Sequence, residues 1–355
     1  MAVTCWLTDS YTGGWNTSAI IPLIYYYDET EPVEEDRIKP YNRLPQSGDI
    51  FYFDGYTISN ITRATINLPG VEIHNGLNPY TERTNGGLNG TGNDGVCYLN
   101  CKKIVVDGTT AFWQQGSNGG ATVYINGDIH CENITSFFHK AGNGVLNLRV
   151  TGDVYRGPRG ALTTADSNRA GTIIITGNYY GYNALSTSGI SGSVQINGNV
   201  EMFGSRLLGQ THSSVVIYGN VTCHTNSYLS NTAQTSVIIY GNITLEGQDL
   251  FTVKATTVNF YGDKITYSNF DPLQTLFFTS DLNVYSEQLE IERTDDYGES
   301  VLISKYQLDN TDQYPAEENV KEGVKYAFET KIGTLEPIRS TNTINIYPYA
   351  KRYSV

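Results

Sequence analysis

Methionine is almost missing from this chain, with 2 among 355 residues, and apolar residues reach only 39%, so any core is thin. A bilayer-spanning helix needs about 20 apolar residues, and no run approaches that length. The longest early stretch closes at Tyr25, Tyr26 and Tyr27, too short to span, so membrane insertion is not expected. The opening Met-Ala-Val-Thr-Cys-Trp has neither the basic nor the apolar region of a secretion signal. Synthesis in a cytoplasm without general export is therefore expected. Cysteine is sparse and odd in number: Cys5, Cys97, Cys101, Cys131 and Cys223. That argues against a disulfide framework and for free thiols. Positive charge is short, at 23 Lys and Arg against 36 Asp and Glu, a net charge of −13. Such a surface repels phosphates, so nucleic acid is not an expected partner. The clusters Asp28–Glu31 and Glu34–Asp36 read as solvated loop. No segment shows the 3.6-residue spacing of an amphipathic helix.

What is present is glycine, at 36, tyrosine, at 27, and a repeat. From about residue 100 one phrase recurs: an alternating apolar run, then Gly, then Asn or Asp. Thr-Val-Tyr-Ile-Asn-Gly-Asp-Ile ends at Ile129, and Ser-Val-Val-Ile-Tyr-Gly-Asn-Val ends at Val221. The repeat glycines are Gly108, Gly127, Gly152, Gly177, Gly198, Gly219, Gly241 and Gly262, spaced 19, 25, 25, 21, 21, 22 and 21. A weaker copy opens the series at 104–109 and a decayed one closes it at 282–287. Such a period belongs to solenoids, and the leucine-rich consensus is absent. Within a phrase the period is two, so Val215, Ile217 and Val221 share one inward face. Glycine lets the strand bend there, and the following Asn or Asp suits a local turn. A second apolar pair follows in several coils: Phe137-Phe138, Leu207-Leu208, Tyr228-Leu229 and Leu250-Phe251. The expected fold is all-β, a parallel β-solenoid of about 19–25-residue coils, with an antiparallel meander as its rival because Asn-Gly pairs also mark hairpins. Stacking at ~4.8 Å gives roughly 34 Å from Gly108 to Gly262.

Three regions follow: 1–46, an N-terminal cap or docking segment; 47–290, the solenoid; and 291–355, a C-terminal capping, docking or oligomerisation segment. The first holds Trp6 and Trp15, and a cap is expected where a sheet edge would be exposed. The last offers a short helix at 315–323 and a strand from Thr343 to Pro348. Between the first two lies Pro45-Gln46-Ser47-Gly48-Asp49-Ile50-Phe51-Tyr52-Phe53-Asp54-Gly55-Tyr56-Thr57-Ile58. It resembles the first β-helix coil of bacteriophage tail-spike, tail-fibre and head-fibre proteins, over about 14 residues. Beyond that opening the likeness is one of architecture. It implies a virion structural protein with an attachment or assembly role, assembled with itself as a homotrimer, with other virion proteins and with host surface glycan.

Candidate chemistry is thin. Gly90-Thr91-Gly92-Asn93-Asp94-Gly95 matches a dinucleotide fingerprint, but a strand follows where a helix is needed. His130-Cys131 and Cys223-His224 carry metal-ligating groups, four coils apart and too distant to share one ion, so no metal or cofactor is expected. Asp128 and Asp153 are adjacent carboxylates of the kind a polysaccharide-cleaving β-helix uses. The same position is Asn178, Asn199, Asn220 and Asn242 in later coils and Asp263 after them, so all seven read as a structural turn ladder. No catalytic residue is assigned. The residue before the repeat glycine faces outward and is polar early (Asn126, Thr151, Thr176, Asn197) but aromatic later. Tyr218, Tyr240, Tyr261 and Tyr285, with Val216 and Ile238, predict an exposed stripe of the kind found at partner or carbohydrate surfaces. A host-polysaccharide depolymerase and a bacterial surface adhesin remain the alternative functions.

Overall fold

The computed structural model describes residues 2–90, 95–116, 120–132, 136–141, 144–159, 162–165, 171–182, 185, 192–209, 211–246, 253–268, 277–286, 288–294, 300–307, 325–326, 331–332 and 343–346. The chain forms two compact units, residues 1–193 and 194–355, divided inside the repeat rather than at its ends. Both are parallel β-solenoids; the one α-helix among the described residues is the four-residue turn Thr17–Ile20, capped by Asn16.

Each coil visits three faces. In unit 1, face I stacks Thr65–Asn67, the first half of Gly95–Val106, the first half of Ala121–Cys131, Leu146–Val150 and Gly171–Ile175. Face II stacks Thr4–Leu7, Ile50–Tyr52, Glu72–His74, the second halves of the two long strands, Val154–Arg156 and Tyr179–Gly181. Face III stacks Thr57–Ser59, Gly87–Gly90, Trp113–Gln115, Phe138–Lys140 and Thr163–Ala165. In unit 2, face I runs through 194–196, Ser214–Ile217, the later parts of Ser227–Ile239, Val253–Phe260 and Phe277–Val284, and ends at Thr343–Ile346. Face II runs through Val200–Met202, Val221–Cys223, Ile243–Glu246, Lys264–Ser268 and Gln288–Thr294. Ser205–Leu208 and the start of Ser227–Ile239 begin face III. All these neighbours are parallel, so the antiparallel meander does not form. Among the described residues antiparallel pairing is confined to the N-terminal strands Thr4–Leu7, Ile24–Tyr27 and Ile38–Pro40, the hairpin of Gln288–Thr294 with Ser300–Gln307, and Lys325–Tyr326 with Lys331–Ile332.

The inward positions form the core. Val123, Ile125, Ile129, Ile173 and Ile175 in unit 1, and Val215, Ile217, Val221, Val237 and Ile239 in unit 2, are at most 1% exposed. Each contributes about 1.5–3 kcal/mol by leaving water. The second apolar pair is inward too: Phe137, Phe138, Leu207, Leu208 and Leu229 are buried, while Tyr228 is half-buried. Stacked rings continue inside unit 1, with Phe112 against Phe137 at 5.5 Å and Trp113 against Phe138 at 6.0 Å. Leu250-Phe251 and the helix expected at 315–323 lie outside the described residues.

One expectation gains a second cause and another needs correction. The repeat glycine also serves the close approach of successive coils. A Cβ on Gly241 would sit 2.2 Å from the Gly219 carbonyl oxygen of the coil beneath, and one on Gly177 would sit 2.5 Å from that of Gly152. Gly108, moreover, is not equivalent to the others. Asn126 pairs with Asn100 and Asp128 with Lys103, so Cys101-Lys102 occupies the turn there, and the coil from Asn100 to Asn126 is 26 residues long. Gly108 follows the face II strand instead.

Candidate functional site

At the turn between faces I and II the N–H that follows each repeat glycine has no strand carbonyl opposite it and finds its acceptor elsewhere. The Asn/Asp side chains supply it. In unit 1 Asp128 Oδ1 accepts from Asp153 N at 2.9 Å, and Asp153 Oδ1 accepts from Asn178 N at 2.7 Å. In unit 2 Asn199 Oδ1 accepts from Asn220 N at 2.8 Å, Asn220 Oδ1 from Asn242 N at 2.9 Å, and Asn242 Oδ1 from Asp263 N at 2.9 Å. Asp263 Oδ1 accepts from the Ser286 hydroxyl at 2.8 Å. An amide oxygen serves as well as a carboxylate, which explains why both residue types occupy the position.

One residue before Gly219, Gly241 and Gly262 stand Tyr218, Tyr240 and Tyr261, and Tyr285 holds the matching place in the decayed copy. Their main-chain N–H groups donate to the coil beneath: Tyr218 to Ile196 O, Tyr240 to Ile217 O, Tyr261 to Ile239 O and Tyr285 to Phe260 O, all at 2.8–2.9 Å. The main chain thus sets the ring spacing. Ring centroids lie 4.9, 4.7 and 4.5 Å apart from Tyr218 through Tyr240 and Tyr261 to Tyr285, with planes within 17° of parallel. Burial, then the neighbouring phenols of Tyr285 and Tyr240, pushes the Tyr261 hydroxyl above its ordinary pKa. Val216 and Ile238 are register partners beside this stack and are half-buried, pointing outward between inward neighbours. The rings cover one another's faces and present edges and hydroxyls. A sugar ring stacks on an aromatic face, so this geometry suits a flat protein surface better than a saccharide.

The surrounding composition reinforces that distinction. Face I of unit 1, at 65–67, 95–100, 121–126, 146–150 and 171–175, carries one charged residue, Arg149; face I of unit 2, at 194–196, 214–217, 236–239, 257–260, 281–284 and 343–346, also carries one, Asp281. Face II carries more charge: Glu72, Lys103 and Arg156 in unit 1, and Glu201, Glu246, Lys264, Glu290, Glu292 and Arg293 in unit 2. Unit 1 replaces the tyrosines of the pre-glycine position with an amide and hydroxyl ladder, in which Asn126 Nδ2 donates to Asn100 Oδ1 at 3.0 Å and Thr151 Oγ1 to Asn126 Oδ1 at 2.8 Å.

A second aromatic row escaped the sequence reading. On face II of unit 1, Tyr52, His74, Val105, His130, Tyr155 and Tyr180 are successive register partners. His130 lies 4.3 Å from Tyr155, which lies 4.7 Å from Tyr180. The signal was available three residues after Gly127, Gly152 and Gly177. Beside the row, Glu72 accepts from Lys103 Nζ at 3.1 Å and meets His74 Nε2 at 2.9 Å.

The two Cys-His pairs separate across their strands. Cys131 and Cys223 are buried, while His130 and His224 lie on the outer side. Burial pushes the Cys131 thiol up to about 11 and Cys223 up to about 12. Among the described residues no group of three or more His, Cys, Asp or Glu is arranged to hold a metal ion. Gly95 begins the strand Gly95–Val106, so the glycine-rich run opens no helix; its residues 91–94 lie outside the described residues.

His224 is instead a clamp. Its Nε2 meets Glu201 at 2.9 Å, its Nδ1 meets Glu246 at 2.7 Å, and its ring stacks on Phe203 at 4.9 Å. Burial alone would lower its pKa, but the hydrogen bonds and charges of Glu201 and Glu246 outweigh burial and raise it. A raised folded-state pKa contributes stability below the unfolded value of about 6.5 and loses it as pH rises through the folded value. Thermal melts from about pH 5.5 to 8.5 should therefore show the chain losing stability relative to His224→Gln as pH rises. A difference that stays constant over that window would mean the clamp does not titrate.

No family model, no curated protein and no solved structure matches this chain.

Proposed function

We propose that this chain is a structural component of a bacteriophage virion, a fibre-type subunit that self-associates as a homotrimer through face I. On this reading it docks to other virion proteins through its terminal segments and serves host attachment or particle assembly. The observation that carries the reading is the charge-poor, tyrosine-lined face I of unit 2, with Asp281 its one charged residue, in a chain of net charge −13. Interface cores are depleted in charge and enriched in tyrosine, and charge left at the rim keeps the assembly soluble. The opening coil at 45–58 and the solenoid architecture support the virion assignment. The occupied acceptor oxygens of Asp128 and Asp153 support a structural role for these carboxylates over the acid–base pair of a depolymerase.

Sedimentation of the purified full chain and of the double variant Tyr218→Ser/Tyr240→Ser provides the test. The wild type should sediment as a trimer. Loss of both rings should weaken association by about 30-fold per tyrosine, if each behaves as an interface anchor. Circular dichroism should be unchanged, since both rings are outward and half-buried. A monomeric wild type, or a variant that remains fully trimeric at the same concentration, would overturn the interface.

A further inference from the structure

Unit 1 holds a groove of about 590 Å³ whose lining includes Gly13, Trp15, Asn60, Thr62, Arg63 and Thr65. That volume is in the range of small-ligand sites. The two chain segments that wall it are tied together in advance. Gly14 N donates to Ser59 O at 2.9 Å, and Asn60, held at φ +65°, donates from Nδ2 to the Thr12 carbonyl. The rim stays low because the Tyr11 hydroxyl packs where a side chain on Gly13 would stand, 2.2 Å from an added Cβ.

The chemistry of the lining is selective. Trp6 and Trp113 are buried at 2% and 1% exposure, whereas Trp15 is half-buried and lines both this groove and the apolar interior beside Phe51 and Phe53. Arg63 is exposed and makes no ion pair among the described residues. No carboxylate lines the groove among the described residues, in a chain where acids outnumber bases 36 to 23. A cation would be repelled by Arg63, and a neutral ligand would leave it unpaired. A nucleotide would bring phosphates to a chain of net charge −13. We infer that the groove binds a single carboxylated pyranose, a uronic-acid residue of an acidic polysaccharide. Arg63 pairs with the carboxylate through two parallel N–H···O bonds. Trp15 offers an apolar surface to the C–H side of the ring, and Thr62 and Thr65 exchange hydrogen bonds with hydroxyls. This supplies a ligand for the attachment role proposed above, on which it rests for its biological meaning. Its test is independent of face I.

Trp15 makes the test direct, because the other two indoles are shielded. Titrating the full chain with glucuronic acid should change its tryptophan emission and saturate with a Kd of about 1 mM, typical of one weakly held sugar. Trp15→Phe should abolish the emission change, and Arg63→Gln should weaken binding at least tenfold with circular dichroism unchanged. Glucose should bind at least tenfold more weakly than glucuronic acid, as should acetate. No response to glucuronic acid overturns the inference. An equal response to glucose removes the role of Arg63, and an equal response to acetate removes the sugar; either also overturns it. The Tyr218→Ser/Tyr240→Ser chain should respond to glucuronic acid like the wild type, so failure of the interface and failure of the groove are read separately.

Discussion

Gly241→Ala should lower the stability of unit 2 by about 3 kcal/mol, at the upper end of the usual cost of forcing atoms into packed structure. All three nearest atoms to the added methyl are main chain: Gly219 O at 2.2 Å, Gly219 C at 2.4 Å and Asn220 N at 2.6 Å. No side chain can rotate away to make room. The two coils would have to part at the turn, and parting them lengthens the bond from Asn242 N to Asn220 Oδ1. Urea unfolding followed by circular dichroism measures the loss. Gly116→Ala is the control, since nothing lies within 4 Å of its added methyl and the position is exposed. It should fall within about 0.5 kcal/mol of the wild type. Equal effects at the two positions would show that the turn is not packed as tightly as described.

Arg156→Met should do the opposite and stabilise unit 1. Arg156 is 2% exposed, beside Cys131 and Tyr179 in the interior. It makes no ion pair among the described residues, and its Nε has no hydrogen-bond partner among them. Nη1 donates to Cys131 O at 3.1 Å, and Nη2 donates to Arg159 O. Both acceptors survive its loss. Cys131 O also receives Gly157 N at 2.7 Å, and Arg159 is exposed to water. Desolvating a guanidinium for so little return is unfavourable, and an apolar side chain of similar volume should gain about 1–4 kcal/mol. Arg156→Ala should instead lose about 2 kcal/mol by leaving a void. The two substitutions should thus move the urea midpoint in opposite directions. A fall with Met would reveal a counter-charge held by the folded chain.

The inward residues were legible because a strand alternates with period two, and the register partners Val215, Val237, Val258 and Leu282 keep an apolar residue at one place through successive coils of unit 2. The turn ladder was legible for a similar reason: Asp128 and Asn199 sit at one position relative to glycine and do one job. The third face was harder to see. Between Gly127 and Gly152 the coil holds 25 residues and between Gly198 and Gly219 it holds 21, so the strands of face III drift in sequence while staying aligned in space. Gly108 misled because it is a glycine, whereas the true equivalent at Cys101-Lys102 is not. The clamp on His224 was hidden because Glu201 and Glu246 are 23 and 22 residues away and meet it only after stacking. The groove draws Trp15 and Arg63 from segments outside the repeat, where no period announces a neighbour. Face I as a charge-poor surface became legible only once the register assigned each strand to a face.

The tyrosine, glycine and asparagine of successive turns have a consequence for how such a chain can change over time. Tyr218-Gly219-Asn220 and Tyr240-Gly241-Asn242 are interchangeable joints. Excising 219–240 would splice Tyr218 directly to Gly241 and leave a turn with the same three residues, shorter by one rung of ~4.8 Å. Duplicating that stretch would add one. Length in this molecule is therefore inherited in whole steps, and a gene that slips by 22 codons yields a different ruler rather than a broken protein.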